Sequence, residues 1–305
     1  MVNRTTHRPE VTPTPTAFTC VARSESGVGE GPVWSAAEGC LYYVDILGHR
    51  IHRYTPGKPL QSFAAPELVT SVVPRRDGGL LVTLQRRLAL FDTKTGAFDL
   101  RPIIEREPPE NRFNDGKVDR AGRFWAGTMD NDVWDKPIGT LYAFGADLGP
   151  MIRAEGIRCS NGLGWSPDNR TLYYAESFAY VIHAFDFDLA SGAIANRRTF
   201  AKLDPQYGAF PDGLTVDAEG FVWSAQPVFG RLVRYAPDGA IDRIVDTPVS
   251  SPTSIAFGGD DWATMYVTSA RAGKSADDLR DEADAGGLFT FQPGVKGIPE
   301  TPFAG

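Results

Sequence analysis

The sequence predicts an all-β chain folded as a six-bladed β-propeller with four-stranded antiparallel blades. Three observations predict it: an internal repeat, turn chemistry between short β-rich runs, and almost no helical periodicity. Six segments begin alike, namely EGPVWSAAEG (30–39), SVVPRRDGG (71–79), DGKVDRAG (115–122), NGLGWSPDN (161–169), DGLTVDAEG (212–220) and TSIAFGGDD (253–261). They recur at roughly 40 to 50 residues, the period of a propeller blade with three or four strands.

Each segment supplies an inner strand. A second strand follows in CLYYVDI, LLVTLQ, RFWAGTM, TLYYAES, FVWSAQ and MYVTSA, each carrying an apolar or aromatic pair. A third tends to follow in IHRYTP, LALFDTKTG, GTLYAFGADLG, VIHAFDFDLASG, RLVRYAPDG and GLFTFQPG. Asp-Gly, Asn-Gly and Pro-Asp-Gly between these runs are hairpin turns. TAFTCVARS (16–24) precedes the first inner strand, so it is expected to pair with the last blade and close the ring, which removes two free sheet edges. VKGIPETPFAG, at the other end, is expected to be a surface tail or an outer strand. Residues 1–15, rich in Thr and Pro, read as a flexible leader, and 16–305 as a single propeller domain.

Composition narrows the function. The 305 residues are 42% hydrophobic and 23% charged, suited to a soluble globular protein with a sizeable core. A formal charge of −7 offers no basic stripe for phosphates, which argues against nucleic acid and anionic membranes as partners. No apolar run approaches a membrane span or a secretory signal, so a cytoplasmic location is expected. Three cysteines, Cys20, Cys40 and Cys159, are too few and odd for a disulfide framework and read as reduced packing residues. A monomer or weak homodimer is expected, since no long amphipathic helix is present.

The repeat also aligns a chemical column. Glu30-Gly31, Asp115-Gly116, Asn161-Gly162 and Asp212-Gly213 place an oxygen-bearing side chain before a glycine at the same point of four repeats. Asp-Gly and Asn-Gly alone could be turn chemistry. Glu30 does not fit that account, because Glu is a poor turn residue. In a closed ring equivalent positions face one axis, so the column suggests a site for a hard cation. Oxygen donors suit Ca²⁺, Mg²⁺ or Mn²⁺ better than a structural zinc, although zinc stays an alternative. The histidines His7, His49, His52 and His183 show no ligand spacing. Trp34, Trp125, Trp165 and Trp223 recur on inner or middle strands, where packing between blades is the expected role.

At these residues the chain resembles the SMP-30/gluconolactonase family, which includes regucalcin and the bacterial sugar lactonases. The resemblance covers about residues 17 to 305. It rests on GEGPVW (29–34), NRFNDGKVDRAGRFWAGTM (111–129), SNGLGWSPD (160–168), HAFDFDLASGAIANRR (183–198), PDGLTVDAEGFVW (211–223) and MYVTSARAG (265–273), with AGGLFTF and VKGI near the end. It implies a six-bladed propeller with one divalent cation on its axis, held by Glu30, Asn161 and Asp212. It further implies that Arg112 and Asn114 contact substrate, with Asp115 in a supporting role.

The implied reaction is hydrolysis of a sugar lactone to its aldonic acid. A cation with open positions can polarise the ring carbonyl and acidify water. Asp212 is the candidate general base as well as a ligand. Arg112 and Asn114 would orient the sugar, the alternative for Arg112 being an ion pair with Glu110 or Asp115. The loop DNDVWDKPIG (130–139) is expected at the mouth, with Asp130 or Asp132 reaching substrate. Tyr207, Phe210 and Phe229 fall in segments that should rim the pocket, where ordinary packing between blades competes with a substrate role. Glu176 stands where relatives often carry Asp. No G-x-S-x-G elbow is present, and Cys159 lacks an evident histidine partner, which disfavours covalent catalysis. Two alternatives stand beside the lactonase: a calcium-dependent phosphotriesterase-like hydrolase and a non-enzymatic calcium-binding propeller.

Overall fold

The computed structural model describes residue 14 and residues 16–305. Their strands form six four-stranded antiparallel sheets arranged as a six-bladed propeller, with one short α-helix, Ala276–Asp281, and two single 3-10 turns, Ser177–Ala179 and Pro205–Tyr207. Blade 1 comprises Gly29–Ser35, Cys40–Asp45, Arg50–Tyr54 and Gln61–Ala64. Blade 2 comprises Val69–Pro74, Leu80–Leu84, Leu88–Phe91 and Phe98–Leu100. Blade 3 comprises Asn111–Val118, Phe124–Asp130, Gly139–Phe144 and Pro150–Ile157. Blade 4 comprises Ser160–Trp165, Thr171–Glu176, Val181–Asp188 and Ala193–Lys202. Blade 5 comprises Leu214–Val216, Val222–Gln226, Arg231–Tyr235 and Ile241–Asp246. Blade 6 takes Pro252–Gly258, Thr264–Ser269 and Leu288–Phe291, and its outer strand is Thr19–Ala22 from the other end of the chain.

That last pairing, Thr19 opposite Thr290 and Cys20 opposite Phe289, closes the ring as the sequence implied. The leader reading falls outside the described residues except for Thr14, whose N–H donates to Ile244 O at 2.9 Å.

Inner and middle strands are buried on both faces because each blade is covered by its neighbours. Outer strands such as Gln61–Ala64 keep polar, exposed positions. The core is correspondingly split into six clusters, one between each pair of successive blades. Trp125 and Trp165 meet edge to face between blades 3 and 4 at 5.9 Å, and Trp34 stacks on Tyr266 between blades 6 and 1 at 5.5 Å. The tryptophans read as structural from the sequence thus pack as expected.

Two repeats of D-x-x-G-x-x-W show why the inner turns form. Asp119 Oδ1 accepts from Ala121 N and Arg123 N at 2.9 and 3.1 Å, while Oδ2 accepts from Trp125 Nε1 at 2.9 Å. Asp217 repeats this with Glu219 N, Phe221 N and Trp223 Nε1 at 3.0, 3.0 and 2.9 Å. Gly122 and Gly220 take φ of +84° and +86°, which a side chain would strain.

The C-terminal segment is not the surface tail or outer strand expected. It crosses the face of the ring opposite Glu30, at the far ends of the inner strands. Ala218 N donates to Lys296 O at 2.8 Å, Lys117 pairs with Glu300 at 3.1 Å, and Arg76 N donates to Phe303 O at 2.9 Å. Phe303 is fully buried between blades 2 and 3. Isolated apolar residues among prolines carry no strand period, so the sequence alone did not show this strap.

Candidate metal centre

The inner strands share one irregularity. Their pairing with the second strand slips between Glu30 and Val33, Val69 and Ser71, Phe113 and Gly116, Ser160 and Leu163, and Pro252 and Ile255. In blade 5 the paired strand starts only at Leu214, after Asp212. A bulge releases backbone from the ladder and re-aims a side chain. Here it occurs at the mouth-side start of each inner strand, and these strands pack around one axis.

Read around the ring, the bulge positions are Glu30, Thr70, Asp115, Asn161, Asp212 and Thr253, all buried. The threonines serve the fold: Thr70 Oγ1 bonds Thr83 Oγ1 at 2.7 Å, and Thr253 Oγ1 donates to Gly29 O at 2.5 Å. The other four are the residues of the column. Gly31 N donates to Glu30 Oε2 at 2.7 Å, Gly116 N to Asp115 Oδ1 at 2.7 Å, and Gly162 N to Asn161 Oδ1 at 3.1 Å. The following glycine therefore orients Glu30, Asp115 and Asn161, whereas Gly213 N donates to Thr253 O at 2.9 Å.

Asn161 and Asp212 are in direct contact, the carboxamide Nδ2 donating to Asp212 Oδ1. Nδ2 also donates to Ser177 Oγ at 3.0 Å, and Ser177 Oγ donates to Pro211 O at 2.8 Å. Ser177, which the sequence reading missed, thus fixes both residues. Its only sequence signal is its place just after the blade 4 strand TLYYAE.

Arg112 and Asn114 lie on the same inner strand as Asp115. Arg112 Nη1 donates to Asn114 Oδ1 at 2.7 Å and to Phe113 O at 2.9 Å, while Asn114 Nδ2 donates to Ser160 O at 2.8 Å. Arg112 forms no ion pair with Glu110 or Asp115 among the described residues, so its charge faces the axial acids instead.

The electrostatics fit a cation. Burial, then the charges of Asp212 and Asp115, push Glu30 well above the usual carboxylate range. Burial and Asp115 do the same to Asp212, and burial raises Asp115 to about 6. Burial also lowers the Arg112 guanidinium. Desolvated acids that repel one another favour either protons or a bound cation. Among the described residues no three His, Cys, Asp or Glu side chains converge into a metal cage. A cation here would draw on two carboxylates, the Asn161 carboxamide oxygen and water, a hard-ion donor set. Asn161 Oδ1 accepts from Gly162 N and keeps a second lone pair that could serve the ion.

Asp130 and Asp132 part company. Asp130 is fully buried, accepts from Asp132 N at 2.7 Å and Val133 N at 2.6 Å, and pairs with Lys136 at 2.9 Å. Its carboxylate is engaged in folding the 130–139 loop. Asp132 stays exposed. Glu176 is likewise engaged, accepting from Arg158 N at 3.1 Å and pairing with Arg197 at 2.9 Å. Tyr207, Phe210 and Phe229 are half-buried on mouth-side segments, Tyr207 and Phe229 with centroids 6.4 Å apart. Cys159 is buried against Met129, Sγ to Sδ 3.5 Å, and burial pushes its thiol up to about 12, which disfavours the thiolate.

A further buried acid was not foreseen. Glu107 accepts from Asn111 Nδ2 at 2.7 Å, Thr128 Oγ1 at 2.8 Å and the Tyr142 hydroxyl. It ties the crossover into blade 3 to the start of the strand that carries Arg112 and Asn114.

With this geometry in place, residues 28–271 match the family described as SMP-30/Gluconolactonase/LRE-like region. The chain belongs to that family. Regucalcin of Oryctolagus cuniculus is 39% identical over 293 residues, covering 94% of this chain and 98% of the relative. A structure of a calcium-binding protein, regucalcin, from Agrobacterium tumefaciens superposes with a TM-score of 0.89 at 26% identity, covering 96% of this chain and 99% of that one. A luciferin-regenerating enzyme superposes with a TM-score of 0.87 at 28% identity, covering 95% and 100%. The SMP-30/gluconolactonase match spans all four residues of the column, along with Arg112 and Asn114.

Proposed function

We propose that this SMP-30/gluconolactonase family member is a divalent-cation-dependent hydrolase that opens a sugar lactone to its aldonic acid. The observation that carries this is the asymmetry of the ring: Glu30, Asn161 and Asp212 gather on the axis, and Arg112 with Asn114 projects from blade 3 beside them. A scaffold has no use for such a polar pair.

Glu30, Asn161 and Asp212 would hold the cation, Ca²⁺ first, with Asp115 supporting. When bound, the cation supplies Lewis acidity toward the lactone carbonyl and lowers the pKa of water. Arg112 has Nη1 engaged by Asn114 and leaves its remaining donors for the lactone oxygens or hydroxyls. The Asp212 carboxylate accepts the proton of the attacking water at the oxygen not held by Asn161. Asp132, exposed on the mouth loop, adds a hydroxyl contact.

A second reading is a cation-binding propeller without turnover, favoured by the relative described as a calcium-binding protein. A pH-stat panel of gluconolactone, galactonolactone, arabinonolactone and xylonolactone, crossed with Ca²⁺, Mg²⁺, Mn²⁺ and Zn²⁺, decides between them. Turnover lost with chelator and restored by one ion supports the lactonase; cation binding with no turnover across the panel, phosphotriesters included, leaves the second reading.

A further inference from the structure

Most tryptophans of this chain are buried, but Trp134 is 56% exposed on the mouth loop 130–139. Its exposure is not that of a loose side chain. Trp134 Nε1 donates to Asn131 O at 3.0 Å, and the loop beneath is folded by Asp130 through two backbone N–H groups and Lys136. Arg158 Nη1 donates to Asp135 O and ties the loop to the crossover into blade 4.

One side of the indole is taken by Phe178, stacked with centroids 5.9 Å apart and planes 24° from parallel. Phe178 meets Phe210 at 5.3 Å, and Phe210 lies two residues before Asp212. Phe178 also follows Ser177, which holds Asn161 and the Pro211 carbonyl. A continuous run of rings thus leads from solvent to the two axial residues.

Holding a large aromatic surface in water costs free energy unless something covers it. Exposed Asp132, Asp135 and Lys136 flank the indole. A flat apolar surface edged by carboxylates matches a pyranose ring, which has an apolar C–H face and a rim of hydroxyls. An alkyl chain would offer no hydroxyls to Asp132 and Asp135.

We propose that Trp134 is the platform of an outer sugar subsite, so that the preferred substrate is an oligosaccharide aldonolactone whose lactone ring lies at the axis while the adjoining pyranose stacks on the indole. The proposal rests on the lactonase reading and adds its substrate class.

The test compares kcat/KM for cellobiono-1,5-lactone, glucono-1,5-lactone and an alkyl-substituted δ-lactone in the wild type, Trp134→Ala and Trp134→Phe. The wild type should prefer the disaccharide lactone. Loss of one aromatic contact should lower the disaccharide-to-monosaccharide preference by roughly three- to tenfold in Trp134→Ala, with Trp134→Phe keeping most of it. An unchanged preference, or a change confined to the alkyl lactone, overturns the subsite. If no lactone is opened with any cation, the lactonase reading itself fails. Calorimetric binding of cellobionate to wild type and Trp134→Ala then decides the subsite alone: weaker binding in the variant supports it, and equal or no binding overturns it.

Discussion

Asn161 of blade 4 donates its carboxamide N–H to the Asp212 carboxylate at the entry to blade 5, and Ser177 supports both. The contact joins two blades at the axis through a neutral donor, which leaves the charge of the Asp212 carboxylate unbalanced until a cation binds. Asp212→Asn preserves the shape of the pair and removes that charge. Turnover of the best lactone should fall about a hundredfold or more, with cation affinity weakened in calorimetry. Full activity in this variant would remove Asp212 from both roles.

The axial acids give the metal-free protein an unusual pH response. Their pKa values are raised in the folded state, so their contribution to stability is present at low pH and is lost as pH rises through the folded values, near 6 for Asp115. Thermal unfolding in chelator should therefore show a melting temperature that falls from pH 5 to 7.5. Added cation requires the ionised acids, so its stabilisation should grow over the same interval. A cation effect independent of pH would contradict this.

Glu107→Ala leaves the Tyr142 and Thr128 hydroxyls and the Asn111 amide without their shared acceptor. Denaturant unfolding should show a loss of about 3 kcal/mol. Because Asn111 precedes Arg112, KM for the lactone should rise more than kcat falls. An unaltered KM would confine Glu107 to stability.

Phe303→Ala empties a fully buried site between blades 2 and 3, on the face away from the acids. Unfolding should show a cost of about 3 to 5 kcal/mol, with kcat/KM unchanged at temperatures where the variant is folded. Lost activity in the folded variant would mean that the strap reaches the site.

The fold was legible because the repeat marks every inner strand, and D-x-x-G-x-x-W encodes a turn through Asp119 and Asp217 that needs no long-range partner. The axial column was legible for a related reason: a glycine after Glu30, Asp115 and Asn161 supplies the N–H that orients each side chain. The loop contacts of Asp130 to Asp132 N and Val133 N were not legible, because they depend on the loop conformation, which composition does not specify. Glu107, Ser177 and Phe303 were hidden for a different reason. Their partners lie on other elements, and no periodicity records such pairings.

The strand Thr19–Ala22 is made early in synthesis, yet its partner Leu288–Phe291 is made near the end. Until the two meet, the blades form an open arc in which Thr19–Ala22 is unpaired and blade 6 is one strand short. That pairing is the most distant in sequence of the fold, so ring closure is a late folding step, and the proposed cation site, whose acids come from blades 1, 3 and 5, would be completed with it.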